Sequence, residues 1–310
     1  MSKTQVRARS LKPRDANSTG FSSNTTVIRT ESKTIRINGL SLHYIERLSD
    51  ETAAHCPTTA ILLHGSSGNA RIWNLFAPKL AEHMPTLAVD LRGHGQSDHT
   101  VPAAYAGGDY LNDLEQLVKR LEIARAVIVA HSMSVFHSIR YSADNPGRVA
   151  KLVLIDIEAA CRPEHRDFLK TAGQKPHPVF ATLEEAISRD RRIAPFAPLE
   201  AFAGFVEANL KATESEHANG GCLTYRFDRA TLAQFDDYDE WGNLGRVTCP
   251  TLIVYGERSQ LMRPEVIQAM KRELTDARVA EVPQAGHLPM LDNPEAFEKA
   301  VLDFCVSEAG

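Results

Sequence analysis

The sequence predicts an α/β fold: a doubly wound, mostly parallel sheet with a helical segment inserted between two central strands. Three observations lead there. Apolar runs of strand length recur between Thr59 and Pro283, each bounded by turn residues. Stretches of helical period lie between most of them. Strands that alternate with helices of this length pair in parallel, with helices covering both faces. One interval, residues 157–247, breaks the alternation with charged, proline-punctuated pieces. A chain of 310 residues, 43% hydrophobic and 24% charged, can bury the core such a fold needs.

The elements follow in order. "KTIRINGLSLHYIER" (33–47) has two alternating runs around Asn38-Gly39, which predicts a hairpin. "TAILLHG" (59–65), "PTLAVDLRG" (85–93), "AVIVAHS" (126–132), "KLVLIDI" (151–157), "PTLIVYGE" (250–257) and "RVAEVP" (278–283) are the strand candidates. The spacing of Ile72, Leu75, Phe76 and Leu80 predicts a helix over 70–84, and that of Leu111, Leu114, Leu117, Val118 and Leu121 another over 110–123. Two more are expected over 264–274 and 293–306, each with a proline in its first turn. The interval 157–247 reads as helical pieces at 163–172, 182–191, 198–212 and 229–245. Because it follows the carboxyl end of a central strand, where such sheets bind ligands, it is expected to act as a lid. Residues 27–156 and 248–310 would then form the core.

Composition excludes several classes. A net charge of −4 argues against nucleic-acid partners. No apolar run is long enough to span a bilayer. Residues 1–26 set Lys3, Arg7, Arg9, Lys12 and Arg14 against Asp15 alone, amid Ser, Thr and Asn. That composition predicts a mobile basic tail and lacks the apolar segment of a secretory signal. Cys56, Cys161, Cys222, Cys249 and Cys305 are scattered with no metal-binding spacing, as in a reduced cytoplasmic protein.

The chemistry centres on "IVAHSMSVF" (128–136). A serine on a sharp strand-to-helix turn exposes its hydroxyl, provided the flanking positions are small. The usual pattern is G-x-S-x-G; here Ala130 and Ser134 stand at the glycine positions around Ser132. "LLHGSSGN" (62–69) ends a strand with small residues, so the N–H of Ser66 together with that of Met133 could form an oxyanion hole. "VPQAGHLPMLDNP" (282–294) places His287 on the loop after the last strand, where a triad on this scaffold takes its base.

With "LLHGSSG", "VDLRGHGQSD" (89–98), "AHSMS" and "AGHLPMLDNPEAF", the chain resembles the α/β-hydrolase superfamily over residues 59–305. The resemblance implies an acid–histidine–serine triad cleaving an ester, thioester, lactone, amide or C–C bond, under a lid. It implies no catalytic role for Arg92, His94 or Ser97.

One member of the triad departs from the pattern. Relatives carry the acid as G-x-x-D or G-x-x-S-D after the strand that here reads "TLIVYG"; this chain has Gly256-Glu257-Arg258-Ser259-Gln260. Asp156, at the end of an earlier strand, is the expected acid; Glu158, Glu257 or no acid at all are the alternatives. His131, His64 and His137 read as structural. Trp73, Phe76, Trp241, Phe196, Phe202 and Phe205 are candidates for pocket walls or for packing, and nothing near Cys161 would activate its thiol.

The expectation is a serine hydrolase of a carboxylic ester or lactone of medium size and partly hydrophobic character, with no cofactor and no metal. Its partner is a small molecule, and its oligomeric state is open. The alternatives are a ligand-binding protein that has lost catalysis, or a lyase or cofactor-free oxygenase using Ser132 and His287. Haloalkane dehalogenases and epoxide hydrolases need a carboxylate nucleophile where Ser132 stands.

Overall fold

The hairpin opens the chain. The computed structural model describes residues 26–214 and 222–307, so the basic tail, apart from Thr26, lies outside the described residues. Strands β1 (Arg29–Ile37) and β2 (Leu40–Leu48) pair antiparallel, with Asn38 at φ 48° and Gly39 at φ 80° supplying the positive backbone angles of a tight two-residue turn. The other strands are β3 (Thr58–Leu63), β4 (Thr86–Val89), β5 (Arg125–His131), β6 (Val149–Ile155), β7 (Val179–Phe180), β8 (Leu210–Thr213), β9 (Cys222–Tyr225), β10 (Thr251–Gly256) and β11 (Ala277–Val282). Eight of them form one sheet in the order β1-β2-β4-β3-β5-β6-β10-β11, antiparallel only through β2.

The central strands are apolar on both faces because both are covered. Ile61, Leu63, Ile128, Ala130, Leu152, Leu154 and Ile253 point into one core. Helices Gly107–Arg120, Ser134–Asp144 and Pro264–Glu273 close it with Leu114, Leu117, Phe136, Ile139, Ile267 and Met270. Ala60, Leu62, Val127, Val129, Val153, Ile155, Leu252 and Val254 point into the other. There Trp73, Phe76 and Leu80 meet Phe297, Val301 and Phe304 of the helix Pro294–Val306. The single helix expected over 70–84 is instead a 3₁₀ turn, Ala70–Trp73, followed by a short helix, Ala77–Ala81. Pro78 explains the break: it has no N–H to donate and is tolerated only in a first turn, so the helix restarts there.

Between β6 and β10 the chain leaves the sheet. The inserted segment carries helices Pro163–Gly173, Leu183–Asp190 and Leu199–Ala208 and the short turns Ala230–Ala233 and Trp241–Leu244. It is not wholly helical, contrary to expectation: β7, β9 and β8 form a small antiparallel sheet. The helix expected to run to residue 212 stops at Ala208, and Leu210–Thr213 pairs with β9 instead. Asn209 marks the change, its side chain bonding to Asn69 and to the Ser67 carbonyl across the cleft. No described helix is long and apolar enough to cross a membrane.

His64, His94 and His131, all buried, brace the carboxyl edge of the sheet, and a fourth buried histidine, His137, stacks on Tyr110 from the helix Ser134–Asp144. His64 donates from Nδ1 to the Gly65 carbonyl and accepts the Leu91 N–H at Nε2; His94 donates to the Arg92 carbonyl and accepts the Ser67 N–H, at 3.1 Å. Both need a neutral ring. Burial lowers the pKa of His94 and of His137 to about 3, and lowers those of His64 and His131 as well. Unfolded, each would bind a proton near pH 6.5. The unfolded state therefore holds more protons below that pH, and stability falls as pH falls. Between pH 6 and pH 4 we expect a loss approaching about 1.4 kcal/mol per pH unit for each histidine involved. Urea melts at pH 7, 6 and 5 check this; a midpoint that holds across the three would refute it.

Candidate active site

The register of three adjacent strands sets the site. His131 of β5 pairs with Ile155 of β6, and Ile155 pairs across from Val254 of β10. The next residues, Ser132 and Asp156, step off the carboxyl edge together. The Ser132 N–H donates to the Ile155 carbonyl and the Asp156 N–H to the Val254 carbonyl, both at 2.9 Å. Each then turns with positive φ, 53° at Ser132 and 56° at Asp156. A side chain in this region costs of order 1–2 kcal/mol, borne here by the surrounding ladder.

The serine's turn explains the small residues around it. Ala130 and Ser134 are fully buried. Ser134 Oγ donates to the His64 carbonyl at 2.5 Å, tying the turn to the loop after β3. A Cβ on Gly65 would lie 2.7 Å from Ser132 Cβ and 2.9 Å from His131 Nδ1, so only glycine allows that loop to approach. Gly65→Ala should therefore leave the protein folded by circular dichroism and lower kcat/KM toward an ester about 100-fold, as expected for a displacement near 1 Å. Unchanged turnover would contradict this.

His287 Nε2 lies 3.1 Å from Ser132 Oγ, and His287 Nδ1 lies 2.8 Å from Asp156 Oδ2. Asp156 is fully buried. Its Oδ1 accepts the Gly256 N–H at 3.1 Å, and its Oδ2 also accepts the Ser259 hydroxyl at 2.6 Å. Ser259 thus donates to the carboxylate that arrives from β6. The other candidate carboxylates point elsewhere. Glu158 makes a two-pronged ion pair with Arg263, at 2.7 and 2.9 Å. Glu257 accepts the Gln284 N–H at 2.7 Å.

His287 is held from behind. His131 Nε2 donates to the His287 carbonyl at 2.8 Å. The Gly286 N–H donates to Asp292, whose other oxygen accepts the Phe196 N–H of the insertion. Gly256 lets β10 reach this loop, since a Cβ there would lie 2.2 Å from the Gly286 carbonyl oxygen.

Ser66 and Met133 touch, with Ser66 Oγ donating to Met133 Sδ at 3.4 Å. Met133 precedes the first turn of helix Ser134–Asp144, and neither its N–H nor that of Ser66 is taken up by another group among the described residues. A helix start leaves such N–H groups open to an anion. The motif "DLRGHGQSD" supports this loop. Arg92 pairs with Asp113 at 2.6 and 2.7 Å, Ser97 Oγ donates to the Asp90 carbonyl, and His94 holds Ser67 at φ 55°.

A cavity of about 230 Å³ opens in front of His287. Gly65, Ser66, Ser67, Ile72, His131 and Leu288 line it from the core, and Asp190, Ile193, Phe205, Asn209, Tyr225 and Phe227 from the insertion. Of the aromatic candidates only Phe205 is in this wall. Trp73 and Phe76 pack on Phe297, Phe202 is buried beside Arg191, Trp241 packs against the opposite core, and Phe196 lies against Arg258. Burial pushes the Cys161 thiol up to about 11. Asp190, Tyr225 and Phe227 carried no motif to single them out in the sequence.

A strained serine on a strand-to-helix turn, a histidine after the last strand and an open pair of N–H groups define a class. The chain belongs to the alpha/beta hydrolase family, whose model matches residues 60–300. It is 27% identical over 247 residues to the 2-(acetamidomethylene)succinate hydrolase of Mesorhizobium japonicum, covering 79% of this chain and 86% of that protein. It is 28% identical over 261 residues to the pimeloyl-(acyl-carrier protein) methyl ester esterase of Pectobacterium atrosepticum, covering 80% and 94%. A crystal structure of E-2-(acetamidomethylene)succinate hydrolase superposes with a TM-score of 0.77 at 26% identity, over 90% of this chain and all of that one. These relatives are hydrolases, which supports a hydrolase role.

Proposed function

We propose that the protein is a serine hydrolase that cleaves a carboxylic ester or lactone of a medium-sized, partly apolar molecule through an acyl-enzyme on Ser132. The observation that carries this reading is the line of hydrogen bonds from Asp156 through His287 to Ser132, at 2.8 and 3.1 Å.

The chemistry follows from that line. His287 Nε2 takes the proton as Ser132 Oγ attacks the carbonyl carbon. Asp156 keeps the Nδ1 proton in place and stabilises the imidazolium that forms. The N–H groups of Ser66 and Met133 receive the charge that develops on the carbonyl oxygen. His287 then gives its proton to the departing alkoxide, and water repeats the sequence on the acyl-enzyme. The inserted segment is the lid of this site, supplying half of the cavity's wall and excluding water from the acyl group.

A fluorophosphonate probe with intact-mass detection and peptide mapping tests the reading. One adduct per chain on Ser132, together with release of acid and alcohol from simple esters, is expected. An unreactive serine in folded protein, or products other than acid and alcohol, would overturn it.

A further inference from the structure

The insertion brings one carboxylate into the cavity. Asp190 closes the helix Leu183–Asp190 and lines the space in front of His287, together with Ile193, Phe205 and Phe227. Its Oδ1 accepts the Tyr225 hydroxyl at 2.6 Å. Its Oδ2 takes no donor among the described residues, and Asp190 has no ion-pair partner within 4 Å there. Arg189 and Arg192 feel its charge, yet neither lines the cavity, and among the described residues no lysine or arginine does.

The other polar side chains that line the wall make bonds of their own. Asn209 accepts from Asn69 and donates to the Ser67 carbonyl. His131 gives its Nε2 proton to the His287 carbonyl, its buried Nδ1 being left without a partner on the core side among the described residues, and Ser67 Oγ donates to the Ser66 carbonyl. Asp190 is therefore the group in the insertion's wall that keeps an open acceptor. A half-buried carboxylate beside aliphatic and aromatic side chains is costly to ionise, and burial pushes its pKa up. A donor brought by the ligand would relieve that cost.

We propose that Asp190 is a specificity-determining residue, and that the substrate carries a hydrogen-bond donor, a protonated amine above all, at the end lodged against the Asp190–Tyr225 pair. This rests on the hydrolase reading and adds the class of substrate to it. Tyr225 aims the carboxylate by occupying one oxygen and leaving the other to the ligand. The same arrangement selects against anions. A succinate, the compound in the name of the relative from Mesorhizobium japonicum, would bring its carboxylates to Asp190 with no cation in the wall.

The test uses the full chain and matched p-nitrophenyl esters: an unsubstituted alkanoate series and its ω-amino, ω-hydroxy and ω-carboxy counterparts. A parallel arm carries the same groups on the alcohol, as acetates of ω-amino alcohols. At the best chain length the amino ester should exceed its alkyl counterpart in kcat/KM by about 10- to 100-fold, as expected for one hydrogen bond to a charged group. The hydroxy ester should lie between them and the carboxy ester below. In Asp190→Asn the ratio of amino-ester to alkyl-ester kcat/KM should fall to about one. An amino preference that is absent in both arms, or that survives Asp190→Asn, overturns the proposal.

Failure of the hydrolase reading looks different, since no ester would turn over and Ser132 would take no probe. In that case calorimetric titration with ω-amino amides decides, because they need no catalysis. Binding weakened at least about 10-fold by Asp190→Asn supports the proposal, and equal or undetectable binding in both proteins refutes it.

Discussion

Replacing Asp156 by asparagine should lower kcat by about 10³- to 10⁴-fold and leave the protein folded. The size follows from what an acid does in such a triad: it fixes the imidazole tautomer and offsets the charge of the imidazolium. Asparagine tolerates the positive φ of 56° at this position, so the backbone need not move. The Gly256 N–H can still donate to the side-chain oxygen. What is lost is the anion beside His287 Nδ1. Ser259→Ala removes only the supporting hydroxyl, 2.6 Å away, and should cost less than about tenfold. Glu158→Gln and Glu257→Gln should leave kcat near its starting value, since their carboxylates engage Arg263 and the Gln284 N–H. Steady-state kinetics on the four variants decide the matter. Full activity in folded Asp156→Asn protein would remove Asp156 from the mechanism.

Ser132→Ala is the larger lesion. With no oxygen to acylate, kcat should fall by about 10⁵- to 10⁶-fold, and the fluorophosphonate adduct should disappear. The variant should fold at least as well, because a strained side chain has been shortened rather than enlarged. Combining it with Asp156→Asn should cost nothing further: residues that act as one unit give losses that do not add. If the double variant is another thousandfold slower, the two residues serve separate steps, and the reading of one relay is wrong.

Much of this was legible in the sequence, for reasons that particular residues make plain. The alternation of apolar runs and helical periods marked the parallel sheet because its central strands are buried on both faces, which leaves little room for polar interruptions. Asn38-Gly39 marked the hairpin through its backbone angles. Ser132 and His287 stood out because local turn chemistry constrains their neighbours. Asp156 was the expected acid with Glu158 as an alternative, since two residues along a strand end do not say which side chain faces a loop more than 130 positions later. The pairing of β6 with β10 sets Asp156 beside His287 and turns Glu158 to Arg263, and pairing between distant strands is a tertiary fact. The small sheet in the insertion escaped notice for a related reason. Leu210–Thr213 and Cys222–Tyr225 are too short and too polar to show a period of two, and packing overrides their local preference. The Asp190–Tyr225 pair, 35 positions apart, had no local signature at all.

The position of Asp156 has one more consequence. It is the last residue before the chain enters the insertion, so the segment that walls the cavity is covalently continuous with the group beside His287. Here a chimera that exchanges residues 157–247 would also tug on the anchor of the base. Choice of substrate and speed of reaction would then be inherited together, and variants of this lineage would trade one against the other instead of exploring them separately.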